Sequence, residues 1–130
     1  MTTPVKDTSA MIAGMEPLLV DGTFAFVPWP VGDAWPEGTR ASCVEDEGLS
    51  LIIPIDAAPH DALPMRCITL QVHSSLEGVG LTAAVSAGLA ASGIPANVVA
   101  GYHHDHVYLP ADKADLAMGI LRQLQKEAAQ

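Results

Sequence analysis

Between residues 103 and 106 the chain reads His-His-Asp-His, and a second polar group, Ser74-Ser75 with Glu77, stands beside Gly78 and Gly80. Imidazoles and a carboxylate this close together offer three chemistries. They could ligate zinc, nickel or copper; an acid beside a histidine could serve as general base and orienter; or the carboxylate could hold an amino or guanidinium group through charge-assisted hydrogen bonds. Alternation along an extended strand weighs against the metal. His104 and His106 share one face and His103 and Asp105 the other, so four ligands converge only with help from His73 or His60. Catalysis lacks companions: no activated nucleophile, phosphate loop or cofactor fingerprint accompanies the pair, and Ser74-Ser75 do not sit in a strand-G-x-S-x-G elbow. Cation binding by Asp105, flanked by His104 and His106, remains, beside the alternative that Asp105 accepts local N–H bonds in a hairpin turn.

The second group has its own chemistry. Gly78 and Gly80 let the backbone turn tightly into a helix, whose first N–H groups and positive dipole end favour a carboxylate. The same glycines would equally permit a plain turn. Ser74 and Ser75 could donate to that carboxylate or cap the helix. Asn97, with Thr69 and Gln71, belongs to a polar row that reads as sheet surface or interface, although its amide could read a ligand's backbone. Cys67 in this row reads as a small packed residue.

Both groups lie between Ile68 and Pro110, where the pattern gives a strand, a turn, a helix and a hairpin in succession. Ile68, Leu70 and Val72 share a strand face, with Thr69, Gln71 and His73 on a polar face opposite. From Val79 the positions Leu81, Ala84, Val85, Gly88 and Leu89 follow helical spacing, and Ser92-Gly93 ends the helix. The outer face of that helix, Ala83, Ser86, Ala87 and Ala90, is small and suits a neighbouring lobe or subunit. Ile94 to Tyr102 alternates as a strand, His103-His104-Asp105 turns, and His106 to Leu109 returns before Pro110. Asp112 is expected to cap a last helix with Leu116, Ala117, Ile120, Leu121 and Leu124 as its apolar stripe.

Upstream, Asp7, Thr8 or Ser9 can cap a short helix running to Met15. Residues 18–22 then form a lead-in and turn, followed by a strand over Thr23 to Trp29 that Pro28 and Pro30 confine to an edge or terminate. Trp35 stands in a loop as a candidate lid. Cys43 to Asp56 reads as a hairpin about the acidic turn Glu45-Asp46-Glu47-Gly48. The stretch Ala57 to Pro64 is the most linker-like, which places a boundary between residues 62 and 63.

The 130 residues are 49% hydrophobic and 16% charged, with a positive mean hydropathy, enough to bury a core and leave apolar surface for a partner copy. A formal net charge of -9 carries no footprint for nucleic acid or anionic lipid. Two cysteines without metal spacing and an N-terminus without an apolar signal region point to a reducing cytoplasm.

The order strand, helix, strand, strand, helix needs one more strand to complete a ferredoxin-like β-α-β-β-α-β unit, and the first half has one to spare. The segments Ser74 to Ala83, Ser92 to Asn97 and Tyr102 to Pro110 resemble ACT-domain proteins, in particular the small stand-alone bacterial type with two ACT-like halves, a group similar to arginine-sensing ACT regulators. Met15 to Leu18, Gly22 to Phe26 and Glu47 to Leu51 extend the likeness into the first half. The resemblance implies an α+β, ferredoxin-like ACT fold, with an N-terminal ACT-like half over residues 1–62 packed beside a C-terminal ACT domain over residues 63–130. It implies a regulatory, non-enzymatic protein that binds a small effector, usually an amino acid, and forms a homodimer or other homo-oligomer. By the same resemblance Ser75, Glu77, Gly78 and Val79 line one side of the ligand and Asp105 meets it from the hairpin. Leu76-Glu77 stand where the commonest family signature has Asp or Asn followed by Pro. A metal-binding protein using His103 to His106, and a ligand-free interaction module, are the alternatives.

Overall fold

The computed structural model describes residue 4 and residues 7–130. Asp7 accepts a hydrogen bond from the Ala10 N–H at 2.9 Å and so starts helix α1, Thr8–Ala13. Four strands follow: β1 Pro17–Leu19, β2 Phe24–Trp29, β3 Ala41–Glu45 and β4 Gly48–Pro54. After a 3-10 turn and the proline-bearing stretch come β5 Met65–Leu70, α2 Leu81–Ala90, β6 Asn97–Ala100, β7 Asp105–Pro110 and α3 Ala114–Ala128.

All seven strands join one antiparallel sheet in the order β3-β4-β2-β5-β7-β6, with β1 also hydrogen-bonded to β5. The strand that completes the β5-α2-β6-β7-α3 unit is β1, which pairs Pro17 with Leu70 and Leu19 with Ile68. The Val20 N–H prolongs this pairing by donating to the Cys67 carbonyl at 2.9 Å. At three residues β1 is too short to announce itself by alternation, and its sequence reads as a lead-in; tertiary pairing makes it a strand. Beyond it, β2 touches β5 only where Phe24 meets Met65. Pro28 is therefore tolerated in β2, since the side of the strand that its ring deprives of an N–H has no neighbour there.

The sheet curls so far that its two end strands approach each other, Ala41 to Cys43 of β3 and Val98 and Val99 of β6 lining one cavity. Curling buries both faces of β5. Its outer face, Ile68 and Leu70, packs with Val85, Leu89, Leu109 and Leu121 of α2, β7 and α3 and with Met11 and Met15 from the start of the chain. Its inner face, Met65 and Cys67, packs with Phe24, Ile52 and Tyr108. A third cluster, Ala25, Val27, Leu51 and Ile53, covers the far side of β2 and β4. The row expected to be polar thus starts in the interior, with Cys67 and Thr69 buried, and emerges at Gln71, which is exposed.

Three further expectations change. Helix α3 is preceded by a 3-10 turn over Ala111–Lys113, so Lys113 rather than Asp112 holds the cap position. Its buried stripe is Ala114, Ala117, Met118 and Leu121, which turns Leu116 outward. Trp35 is half exposed and does not lie down as a lid.

Gln125 of α3 ties the chain start to the second half, donating to the Ala13 carbonyl at 2.9 Å and to Glu16 Oε1 at 2.8 Å. Glu16 has φ of 41°, and its carbonyl accepts from Gln71 Nε2 at 2.8 Å. Replacing Gln125 by Ala is expected to cost about 1–3 kcal/mol, two partly exposed hydrogen bonds at about 0.5–1.5 kcal/mol each. Urea denaturation with an unchanged m-value would check it.

Candidate functional site

Two chain reversals at the same end of the sheet form the site. One joins β5 to α2, and the other joins β6 to β7. In the first, Ser75 closes a β-turn: its carbonyl accepts from the Gly78 N–H at 2.9 Å and its hydroxyl oxygen from the Glu77 N–H at 3.1 Å. Neither serine caps α2. The helix starts at Leu81, two residues later than its spacing suggests, and its cap is Gly80 in the left-handed region at φ 106°.

Sequence reasoning missed what covers this turn. A Cβ on Gly80 would stand 2.6 Å from Thr8 Cγ2, and one on Gly78 would stand 2.9 Å from Met11 Sδ. The Thr8 hydroxyl also donates to the Val79 carbonyl. Helix α1 therefore lies directly against the turn, and both glycines are required by close approach. The amphipathic start of the chain gives a helix, but no signal in it says which loop that helix will press on.

The second reversal is closed by the Gly101 N–H donating to the His104 carbonyl at 2.9 Å, so the strand after it begins at Asp105. The two reversals meet. His104 Nδ1 lies 3.4 Å from the Val72 carbonyl, and the His73 ring lies 5.5 Å from that of His103 and 6.2 Å from that of Tyr102. Asp105 reaches the Ser74 side chain. Burial pushes its carboxyl above the ordinary carboxylate range, while His106, Ser74 and His104 pull the other way. His106 is held below its ordinary value by burial and by the Arg40 and His104 charges, against the pull of Asp105. Its Nδ1 is 2.9 Å from the Thr69 hydroxyl.

Of the eight residues expected to bind ligand, the structure brings Ser74, Ser75, Glu77, Gly78, Val79, His104 and Asp105 to this end of the molecule. Asn97 is the exception. It pairs with Tyr108 at the other end of β6, where alternation turns it to the inner face of the sheet, and its amide points at the Tyr108 carbonyl at 3.4 Å. Among the described residues no three histidine, cysteine, aspartate or glutamate side chains converge well enough to hold a metal ion. The rings of His103 and His104 are 6.4 Å apart, and His106 turns to the opposite face from Asp105.

The fold defines a small α+β protein whose second half is a ferredoxin-like unit, and residues 63–123 match the ACT domain family. The crystal structure of protein VC0802 from Vibrio cholerae, titled a protein of unknown function and possible transport protein, is similar over 87% of this chain and 92% of its own, at 38% identity and a TM-score of 0.72. Protein Atu0741 from Agobacterium tumefaciens shares the fold at 20% identity, over 84% of this chain and 87% of its own, with a TM-score of 0.66. A comparison with curated proteins finds no match. Residues 63–123 of the chain belong to the ACT-domain family. ACT domains generally bind small-molecule effectors, often oligomerise, and are typically regulatory rather than catalytic. Among the described residues no helix is long and apolar enough to cross a membrane.

Proposed function

We propose that this chain is a cytoplasmic sensing or regulatory protein that binds a free amino acid between the Ser74 to Val79 turn and the Tyr102 to His106 hairpin. The observation that carries this reading is the Asp105 carboxyl, held half-buried beside Ser74 and His104, where a ligand's ammonium group would replace lost hydration. Leu76 and Val79 in the first reversal and Tyr102 in the second are 71%, 76% and 70% exposed, apolar surface suited to a side chain or a second copy. The first N–H groups of α2 supply the opposite pole for a carboxylate. Asn97 is left out of the site.

In the same reading, residues 1–62 form the ACT-like half and residues 63–130 the ACT domain, with α1 and β1 lent across that boundary. The assembly is a homodimer or other homo-oligomer, supported by the low charged fraction and the exposed Ala83, Ala87 and Ala90 face of α2.

Asp105→Asn tests the site with two opposite results. Burial raises the folded carboxyl above its usual 3.8. Between 3.8 and its folded value, the folded protein therefore binds more protons than the unfolded chain. The group's contribution to stability falls as pH rises through that window and stays low at neutral pH. Asparagine removes this cost, so the free variant is expected to melt on the order of 1–3 °C higher at pH 7. Wild type is expected to gain several degrees from one or a few of the twenty amino acids at millimolar concentration, and the variant none. A wild-type response in the variant, or no response in either protein, would sink the proposal.

A further inference from the structure

We propose a second ligand site, on the inner face of the curled sheet, that takes a small monocarboxylate with an apolar body. It faces away from the Asp105 crevice and is independent of it. Because β3 and β6 approach across the mouth of the curl, they enclose a cavity of about 290 Å3 whose walls include Phe26, Ala41, Cys43, Ile52, Val98 and Val99. A second cavity of about 290 Å3 adjoins it at Phe26 and reaches Leu63, Met65 and Asn97. Each falls just short of the range that small-molecule sites occupy, about 300–1,000 Å3, so a ligand must be small or span both. Phe26 stands between them 45% exposed, its ring packed edge-on to Tyr108 with centroids 5.5 Å apart.

Arg40 precedes β3, its backbone N–H donating to the Ile52 carbonyl at 2.8 Å, and its guanidinium lies 5.6 Å from the centre of the Phe24 ring. Its side chain hydrogen-bonds with that of Tyr108 and lies near Cys67 and His106, none of which neutralises it. Burial pushes the Cys67 thiol up, and burial with the neighbouring thiol pushes the Tyr108 phenol up to about 12, so both are uncharged at neutral pH. Among the described residues no carboxylate is paired with Arg40, in a chain that has fifteen acids for six bases.

Arg40 is exposed, and a guanidinium stacked on one aromatic ring and bonded to one phenol keeps donors for one carboxylate. The walls beyond it are mainly aromatic and aliphatic, which selects an apolar remainder. A phosphate or dicarboxylate would need more than one cation and would meet the repulsion of a chain with net charge -9. The fit is therefore to a short fatty acid or an arylalkanoic acid, lying across Phe26 with its carboxylate on Arg40.

Titration calorimetry with octanoate, and with 1-octanol as its uncharged twin, tests this. Octanoate is expected to bind one to one and more tightly than the alcohol. Arg40→Gln, an exposed substitution, is expected to weaken octanoate by about tenfold or more and to leave the alcohol unchanged. Amide NMR shifts on adding octanoate should centre on Phe26, Ala41 to Cys43, Ile52 and Val99. No heat at millimolar octanoate, equal affinity in Arg40→Gln, equal binding of the alcohol, or shifts confined to residues outside the curl would each overturn the assignment.

Discussion

Gly80→Ala is expected to destabilise the protein by about 2–4 kcal/mol, a large effect for one methyl group. Two costs add. At φ 106° an L side chain is strained whatever the space around it, at about 1–2 kcal/mol. The new Cβ would also lie 2.6 Å from Thr8 Cγ2, so α1 must retreat from the turn. A double-mutant cycle with Thr8→Ala separates the two, because removing the Thr8 methyl relieves the contact and leaves the backbone strain. Chemical denaturation of the four proteins should give a coupling of about 1 kcal/mol or more. Additive penalties would mean that α1 does not bear on the turn.

Tyr108→Ala is expected to cost about 3–5 kcal/mol, as for other aromatic residues removed from a closed core. Tyr108 is almost wholly buried at the middle of the inner face. Phe24 and Phe26 both meet its ring edge-on, at 6.1 and 5.5 Å, so alanine would remove one aromatic group and unseat two more. Tyr108→Phe keeps the rings and loses only the hydroxyl that faces Arg40 and Cys67, and its cost is expected below about 1.5 kcal/mol. Thermal and urea unfolding of both variants decide between a packing role and a polar one. Similar losses in the two would assign the stability to the hydroxyl.

Much of this architecture is legible in the sequence because its longer elements carry clean periods. Phe24 and Phe26 against Ala25 and Val27, and Leu49, Leu51 and Ile53 in β4, fall on the faces that alternation gives them, while Ile55 lies past the end of β4 in a 3-10 turn and still packs with the same cluster. The turn and hairpin that form the Asp105 crevice are legible for a local reason: Gly78 and Gly80 mark the first reversal and the run His103-His104-Asp105 the second, although the strand before it ends at Ala100 rather than Tyr102. What is not legible is set by distant partners. Leu18 and Leu19 form a strand only because β5 offers a free side. Thr69 looks like surface until the sheet curls over it. Asn97 seems to join the crevice until its pairing with Tyr108 turns it inward, and Arg40, in a proline-rich loop, has no local pattern to mark it as a cation of an inner face.

The placement of β1 has a practical meaning for dissection. In a β-α-β-β-α-β unit the sixth element follows the second helix, whereas here its place beside β5 is filled by residues that come before the unit. The second half is in effect a circular permutant of that plan, and the stretch that matches the family is shorter than the piece that folds. A fragment cut at residue 63 would leave one long side of β5 as a bare template for pairing and would strip Met11 and Met15 from its core, so it should aggregate. Grafting residues 7–22 behind α3 through a flexible linker should restore a soluble domain.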